Sequence, residues 1–277
     1  MNTLLRIIGL IIIIGIVGGV LFYVMEPRSA AKSAITPIQT DRISTENADV
    51  QKCGAPLSVT IEKIDEQASS SPSVSVEYPQ FPTLPEKFNQ EIKSAVTSRL
   101  QEFRSIAKEN TDARKATAAK NETPNASDFS FLARWEPVQV NNAYVSLIIR
   151  FDSYVGGANE NQELQTFNFD IVNKQILALD GLFASSTDYL SVISTEARKQ
   201  LLEKSKTISG DNTPTETLID GTVPKTENFK NFTFTENSIQ IYFPKYSVAA
   251  GAFGEQQIVI PFSSIEPGLS KLCQATN

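Results

Sequence analysis

The sequence predicts an α+β domain with a mostly antiparallel sheet packed with about two helices, preceded by one N-terminal transmembrane helix. Three observations support this class. The chain opens with a long uncharged apolar run, two later segments carry apolar residues at helical spacing, and strand-like segments come in pairs joined by short polar turns. Because helices and strands segregate instead of alternating as βαβ units, the class is α+β.

The apolar run spans residues 7–25, which as a helix is long enough to cross the hydrocarbon core of a membrane. Arg6 and Glu26 bracket it. With so short a flank before it, we expect the N-terminus to stay inside and the C-terminal domain to be extracytoplasmic. A single-pass protein of the cell membrane follows, with the membrane as the partner of this segment. The alternative is a cleaved signal peptide, since residues 29–31 are small.

The chain divides into an anchor at 1–27, a tether at 28–51 and a folded domain at 52–277. The tether mixes Ser, Thr, Ala, Asp and Pro without apolar periodicity, which favours a flexible segment. Inside the domain, the segments 111–127 and 205–228 are rich in polar and turn-forming residues and are predicted to be long loops.

Two segments of the domain have helical patterns. The first follows Pro85, which suits a first helical turn. Its apolar face consists of Phe88, Ile92, Val96, Leu100, Phe103 and Ala107. The second runs from about Thr187 to Lys204, with Ser186 or Thr187 as its N-cap. Its apolar face consists of Leu190, Ile193, Ala197 and Leu201.

The remaining pattern is that of strands. Early strands are predicted at 57–64 and 73–78, and a last strand at 256–261. Between them, three hairpins turn at Asn141-Asn142, Asn173-Lys174 and Glu236-Asn237. The flanking strands are 129–135 with 144–151, 165–172 with 175–179, and 232–235 with 238–243.

Composition excludes several function classes. The 277 residues include 25 Lys and Arg against 31 Asp and Glu, a net charge of −6 that disfavours a nucleic-acid partner. The chain has no histidine, so it lacks the commonest general base and metal ligand, and we expect no metal and no cofactor. The two cysteines, Cys53 and Cys273, lie just outside the first and last strands. In an exported domain a disulfide between them is their simplest use.

Several spaced motifs are similar to those of a known family. They are Phe151 to Asn159, Thr166 to Asp170, Leu179 to Phe183, Phe232 to Thr235, Ile241 to Phe243, Tyr246 to Gly251, Gly254 and Ile260 to Phe262. In this order they resemble the bacterial extracytoplasmic RsiV/PdaC-type domain family, which pairs the domains of unknown function 4163 and 3298. The resemblance covers roughly residues 57–269.

The family includes the lysozyme-receptor part of an anti-sigma factor and the non-catalytic N-terminal region of a peptidoglycan deacetylase. Two departures limit what the resemblance implies. About six residues precede the apolar run, so sequestration of a sigma factor is not carried over. Asn159 stands where the family has a histidine, which weakens any role that needs an imidazole there.

Two loops carry the candidate ligand-binding residues. In the first, Gly156 and Gly157 could bring backbone N–H groups close to a ligand near Asn159, although two glycines after a strand are also typical of a bulge or a tight turn. The second loop exposes aromatic residues among glycines, and its candidate residues are Tyr246, Gly251, Phe253 and Gly254.

The absence of histidine and of known catalytic motifs favours a non-catalytic binding or sensing module of the cell envelope. Its candidate ligands are peptidoglycan or a secreted protein such as lysozyme. The alternative is a hydrolase of envelope polymers that uses paired carboxylates, such as Asp152 with Asp170. That alternative requires two carboxyl groups facing one cleft.

Overall fold

The computed structural model describes residues 56–67, 72–117, 128–183, 188–209 and 215–265. The predicted anchor and tether lie outside these residues, and so do both cysteines of the predicted disulfide. None of the helices within the described ranges has the length and apolar character needed to cross a membrane.

A six-stranded sheet forms the larger part of the domain, with its strands side by side in chain order. The strands are β1 (Thr60–Glu66), β2 (Ser73–Gln80), β3 (Ser130–Val140), β4 (Tyr144–Tyr154), β5 (Asn161–Asp170) and β6 (Gln175–Ile176). All neighbours are antiparallel except β2 and β3, which run parallel and are joined across helix α1 (Glu86–Thr117). The predicted α+β class with a mostly antiparallel sheet is confirmed.

Helix α1 packs its apolar face on one side of this sheet. All six residues of the predicted stripe are buried. Aromatic pairs join helix to sheet: the ring centroids of Phe88 and Phe169 lie 4.7 Å apart, and those of Phe103 and Phe131 lie 5.3 Å apart. The apolar residues of α1 repeat at the helical period, so they all face the sheet and form a first core with it.

The predicted loop at 111–127 is wrong in its first part, because α1 continues to Thr117. The residues from Thr111 to Thr117 include neither Gly nor Pro, so nothing in them ends a helix. Contacts with the sheet also hold the extension in place. Asn110 Nδ2 donates to the Val155 carbonyl at 2.7 Å, and the Arg114 guanidinium lies 4.4 Å from the centroid of the Phe129 ring.

A second, antiparallel sheet contains β7 (Phe232–Phe234), β8 (Ser238–Phe243) and β9 (Gln256–Pro261). Helix α2 (Tyr189–Ser209) packs against it and supplies Ile193, Ala197 and Leu201 to a second core, as predicted. The predicted N-cap residues lie outside the described part of the chain, and Asp188 Oδ1 accepts a hydrogen bond from the Ser191 N–H.

The predicted loop at 205–228 holds more structure than expected. Helix α2 continues to Ser209, and a short helix α3 spans Glu216–Gly221. Thr215 caps α3 by accepting the Leu218 N–H, and Leu218 is buried in the second core. The Pro and Gly residues of this segment predicted a loop, but tertiary packing stabilises a helix of six residues between them.

The small sheet sits on the face of the main sheet opposite α1. Strand β7 is held there by polar side chains rather than by a strand ladder. Ser146 Oγ accepts the Phe234 N–H at 3.1 Å, and Asn168 Nδ2 donates to the Phe232 carbonyl at 2.8 Å. Thr166 Oγ1 accepts the Phe232 N–H at 3.1 Å. These bonds satisfy the backbone of β7 on its side facing the main sheet.

Candidate functional site

The small sheet covers only part of the main sheet, and a polar groove opens beyond its edge. Along β4, Ile148 is buried together with Tyr242 of the small sheet, whereas Arg150 and Asp152, which continue on the same face, reach the open part. We call this site the polar groove. Its lining residues are Arg134, Arg150, Asp152, Gln162, Glu163, Leu164, Pro244, Lys245 and Glu255.

The polar groove has two adjoining parts. One is a cavity of about 160 Å³ beneath the segment that joins β8 to β9. The other is a wider depression of about 440 Å³ along the main sheet, where Ser75 and Ser130 supply hydroxyl groups. Arg134, Asp152 and Gln162 line both parts. A ligand that occupies both parts must therefore contact this central group.

Strand register creates the charge pattern of the groove. Arg134 and Arg150 lie directly opposite each other on β3 and β4, an arrangement that is unfavourable unless both charges are compensated. Arg134 NH2 lies 3.1 Å from Asp152 Oδ2. Arg150 binds two carboxylates, with Nε 2.9 Å from Glu136 Oε1 and NH1 2.7 Å from Glu255 Oε2. The groove thus contains an alternating set of arginines and carboxylates.

Arg150 connects the two sheets electrostatically. Partial burial opposes the charge on its guanidinium, but the hydrogen bonds and charges of Glu255 and Glu136 outweigh that penalty and raise the pKa of Arg150 above its ordinary value. Burial also raises the pKa of the neighbouring Tyr242 phenol. The Tyr242 hydroxyl shares a hydrogen bond with Thr233 at 3.1 Å and donates to Gln240 at 2.7 Å. Ion pairs therefore hold Arg150, and hydrogen bonds hold Tyr242, on this side of the groove.

Asp152 is the carboxylate best placed for chemistry. Its side chain is 18% exposed at the centre of the groove. A carboxylate in this position can take a proton from water or from a hydroxyl group, and the adjacent Arg134 can stabilise a developing negative charge. In the part of the chain that the structure describes, no cluster of three or more His, Cys, Asp or Glu residues could hold a metal ion.

The predicted pairing of Asp152 with Asp170 is wrong. Asp152 lies opposite Gln162 at one end of the β4–β5 ladder, and Asp170 lies opposite Tyr144 at the other. The strand between Gln162 and Asp170 is roughly 26 Å long at a rise of about 3.3 Å per residue. Asp170 instead accepts the backbone N–H and the side-chain amide of Asn173, at 2.9 and 2.7 Å, and stabilises the turn after β5.

The first predicted loop forms the turn between β4 and β5. Gly156 and Gly157 have φ values of 93° and 117°, a conformation that favours glycine. The Tyr154 hydroxyl donates to the Gly157 carbonyl at 3.1 Å, and Asn159 is exposed. A side chain at Gly156 would collide with Arg114. These contacts match the tight-turn interpretation of the two glycines.

The structure separates the aromatic residues of the second predicted loop. Tyr246 is 65% exposed and follows Lys245 at the rim of the polar groove. Phe253 lines a different, apolar cavity of about 130 Å³ together with Leu201, Leu218 and Val248. Gly251 packs against the Tyr246 ring, and Gly254 has a φ of 68°. Phe253 therefore lines a cavity to which Tyr246 does not contribute.

Sequence reasoning missed several charged residues of the groove, among them Arg134, Arg150, Lys245 and Glu255, and also Glu136, which pairs with Arg150. A signal for three of them was present. In β4, the residues facing away from α1 change from the apolar Ile148 to the charged Arg150 and Asp152. In β3, Arg134 and Glu136 are consecutive residues of that same face. Glu255 had no such signal, because its position depends on how the small sheet packs.

Two family models match this chain. The model described as deacetylase PdaC matches residues 66–162, and the model described as a protein of unknown function, DUF3298, matches residues 180–263. The first match contains Arg134, Arg150 and Asp152, and the second contains Lys245 and Glu255. Both matched segments therefore contribute to the polar groove.

Curated relatives point in the same direction. The chain is 31% identical over 191 residues to the peptidoglycan-N-acetylmuramic acid deacetylase PdaC of Bacillus subtilis, an alignment that covers 69% of this chain and 38% of the deacetylase. It is 23% identical over 122 residues to an esterase of Mycobacterium tuberculosis, covering 44% of this chain and 51% of the esterase. The chain thus spans about half the length, or less, of these relatives. Together with the two models, these matches support a PdaC-type family.

Solved structures share the fold. A DUF3298 family member from Bacteroides fragilis has a TM-score of 0.54 at 17% identity and covers 80% of this chain and 96% of its own. A DUF3298 family protein from Pseudomonas aeruginosa has a TM-score of 0.56 at 14% identity and covers 78% of this chain and 95% of its own. At these identities the likeness concerns the fold alone.

The comparisons correct the prediction of function. A non-catalytic binding or sensing module was expected from the absence of histidine and of familiar motifs, but both curated relatives are named as enzymes, a deacetylase and an esterase. The prediction of a protein without enzymatic activity is therefore wrong. These findings favour the alternative, an envelope hydrolase.

Proposed function

We propose that this protein is a hydrolase that removes acyl groups from a cell-envelope polymer, with the polar groove as its active site. The observation that carries the proposal is the 31% identity over 191 residues to a peptidoglycan deacetylase. The sequence motifs predicted that the resembling region of such a deacetylase is non-catalytic, and the acetate-release experiment below distinguishes the two interpretations. The similarity to an esterase also supports acyl-group hydrolysis, because amide and ester hydrolysis both begin with attack on an acyl carbonyl carbon. Only 38% of the deacetylase is covered, so the activity enters here as a proposal.

In the proposed reaction a water molecule attacks the acyl carbon, and Asp152 accepts the proton that the water loses. The carbonyl oxygen becomes negatively charged, and Arg134, paired with Asp152 at 3.1 Å, stabilises it. The bond to the leaving nitrogen or oxygen then breaks, and Asp152 returns the proton to that atom. The chain has no histidine, which leaves a carboxylate as the natural base of this groove.

The cellular setting is part of the proposal. An anchor at residues 7–25 with the N-terminus inside would hold the domain outside the cytoplasm, where such a polymer lies. A disulfide between Cys53 and Cys273 fits that compartment. The finer resemblance to the RsiV receptor region and to domain of unknown function 4163 stays a prediction that rests on the sequence motifs. A topology reporter fused to the C-terminus tests the location.

Acetate release tests the activity. The full chain, purified in detergent, is incubated with acetylated peptidoglycan and with p-nitrophenyl acetate, and released acetate is measured for the wild type and for Asp152→Asn. General acid–base catalysis typically contributes about 10²- to 10⁴-fold, so we expect the variant to lose at least a hundredfold in rate. The matched control is Asp112→Asn on the exposed side of α1, where Asp112 forms an ion pair with Lys108.

We expect Asp112→Asn to hydrolyse both substrates like the wild type. Circular dichroism confirms that each variant is folded. A wild-type protein that releases no acetate from either substrate contradicts the proposed function. Wild-type rates in Asp152→Asn would remove Asp152 from the mechanism.

A further inference from the structure

One exposed aromatic residue beside the polar groove is held in a backbone conformation that is unfavourable for it. Tyr246 has a φ of 73°, in the left-handed region that bulky residues rarely adopt. The residue is nevertheless 65% exposed, so burial of the ring does not compensate for this backbone. Strain that is retained at an exposed position is typical of functional sites.

The segment between β8 and β9 is built around this ring. A Cβ atom at Gly251 would lie 2.1 Å from Tyr246 Cε1 and 2.3 Å from Cζ, so only glycine leaves room for the ring in its place. Ser247 closes the turn beneath it, because its N–H and its hydroxyl both donate to the Pro244 carbonyl, at 3.0 and 2.6 Å. Gly251 therefore packs against the ring, and the turn closed by Ser247 fixes the backbone from which the ring projects.

The surroundings of Tyr246 are polar. Its chain neighbours are Lys245 and Ser247, and the Lys245 ammonium lies 5.3 Å from the centroid of the ring. An exposed contact of this kind is weak, so the ammonium can move aside for a ligand. Lys245 also lines the groove together with Arg134 and Asp152, so Tyr246 directly follows a residue of the groove lining.

We propose that Tyr246 is a stacking platform for a sugar ring of the polymer that enters the polar groove. This inference rests on the proposed function and names the polymer as a glycan. A sugar has an apolar C–H face, which suits an aromatic ring, and a hydroxyl edge. The planar side chains of Arg134, Asp152 and Gln162 offer donors and acceptors to such an edge. An apolar protein partner would instead require an apolar rim, which the polar neighbours of Tyr246 do not provide.

Calorimetry with a soluble sugar tests the platform without any turnover. The full chain in detergent is titrated with tetra-N-acetylchitotetraose. Loss of one stacking contact is worth about tenfold in dissociation constant, so we expect Tyr246→Ala to bind about tenfold more weakly and Tyr246→Phe to bind like the wild type. Gly251→Ala, which displaces the ring without touching the ligand, is expected to weaken binding as Tyr246→Ala does.

Val172→Ala is the matched control, because Val172 is another exposed apolar residue and follows β5 at the end of the main sheet that lies away from Asp152. It is expected to bind chitotetraose like the wild type. Unchanged binding by Tyr246→Ala, or no binding by the wild type, overturns the platform. Sugar binding without any acetate release would overturn the hydrolase proposal and leave the platform standing.

Discussion

Asn89 illustrates how a single side chain fixes the entry into the longest helix. Although polar, it is 6% exposed and lies in the buried face of α1. Its Oδ1 accepts the Phe81 N–H at 2.8 Å, and its Nδ2 donates to the Phe81 carbonyl at 3.0 Å. The amide thus replaces the strand partner that the chain loses as it leaves β2.

We expect Asn89→Ala to lower the free energy of unfolding by about 1–3 kcal/mol, because the buried Phe81 N–H loses its acceptor. Urea denaturation followed by circular dichroism measures the change. Gln90→Ala, at the exposed neighbouring position of the same helix, is the control and should change stability by less than about 0.5 kcal/mol. Equal urea midpoints for the two variants would show that the hydrogen bonds between Asn89 and Phe81 have no net effect on stability.

At the scale of elements, the docking of β7 depends on side chains of the main sheet. Ser146 is fully buried, donates to Asn168 Oδ1 at 2.6 Å and accepts the Phe234 N–H at 3.1 Å. Asn168 in turn donates to the Phe232 carbonyl. A short strand on a sheet face has no ladder of its own to that sheet, so this relay determines where it sits.

We expect Ser146→Ala to destabilise the protein by about 2–4 kcal/mol, since it leaves two buried polar groups without a partner. Hydrogen exchange should report the loss locally, as weaker protection of the Phe234 amide. Ser75→Ala, an exposed serine on the same face of the main sheet, is the control. If the Phe234 amide keeps its wild-type protection from hydrogen exchange in Ser146→Ala, the hydrogen bonds of Ser146 do not hold β7 on the main sheet.

Elements with strong local periodicity were predictable from the sequence. The buried stripe of α1, the first and last hairpins and the last strand match, because each repeats an apolar pattern at its own period or ends in turn residues. The middle hairpin matches in part, since the strand predicted at 175–179 spans only Gln175–Ile176 and a 3-10 turn begins at Leu179. The short helix α3 was not predictable, since its six residues are stabilised by the burial of Leu218 in the second core. The parallel pairing of β2 with β3 and the division into two sheets depend on packing and also escaped prediction.

The candidate site was less predictable than the fold for the same physical reason. Arg134 and Asp152 lie on adjacent strands, but the partner of Arg150, Glu255, comes from a distant segment that only tertiary packing brings near. The loop with Tyr246 was found from its aromatic and glycine content. The sequence did not predict that Tyr246 follows a groove residue while Phe253 lines an apolar cavity, because both are aromatic residues in the same glycine-containing segment.

At the scale of the whole domain, two cores share the strands of one sheet. Adjacent residues of β4 face opposite ways, so Val145 belongs to the first core and Tyr144 to the second. Arg150 adds a charged link through Glu255, and Ser146 adds a hydrogen-bonded one. Loss of the second core should therefore remove support from the first.

We expect the domain to unfold in one cooperative transition. Ile193→Ala removes a fully buried side chain from the second core and should cost about 2–5 kcal/mol. Trp135 is the single tryptophan and packs against the first core, so its fluorescence reports on that core alone. If the cores are coupled, Ile193→Ala must lower the urea midpoint of Trp135 fluorescence and of circular dichroism together.

Ile92→Ala, a fully buried residue of the first core, is the matched control and shifts both signals in either case. A Trp135 midpoint that stays at the wild-type value in Ile193→Ala, with an earlier second step in circular dichroism, would mean that the two cores unfold independently.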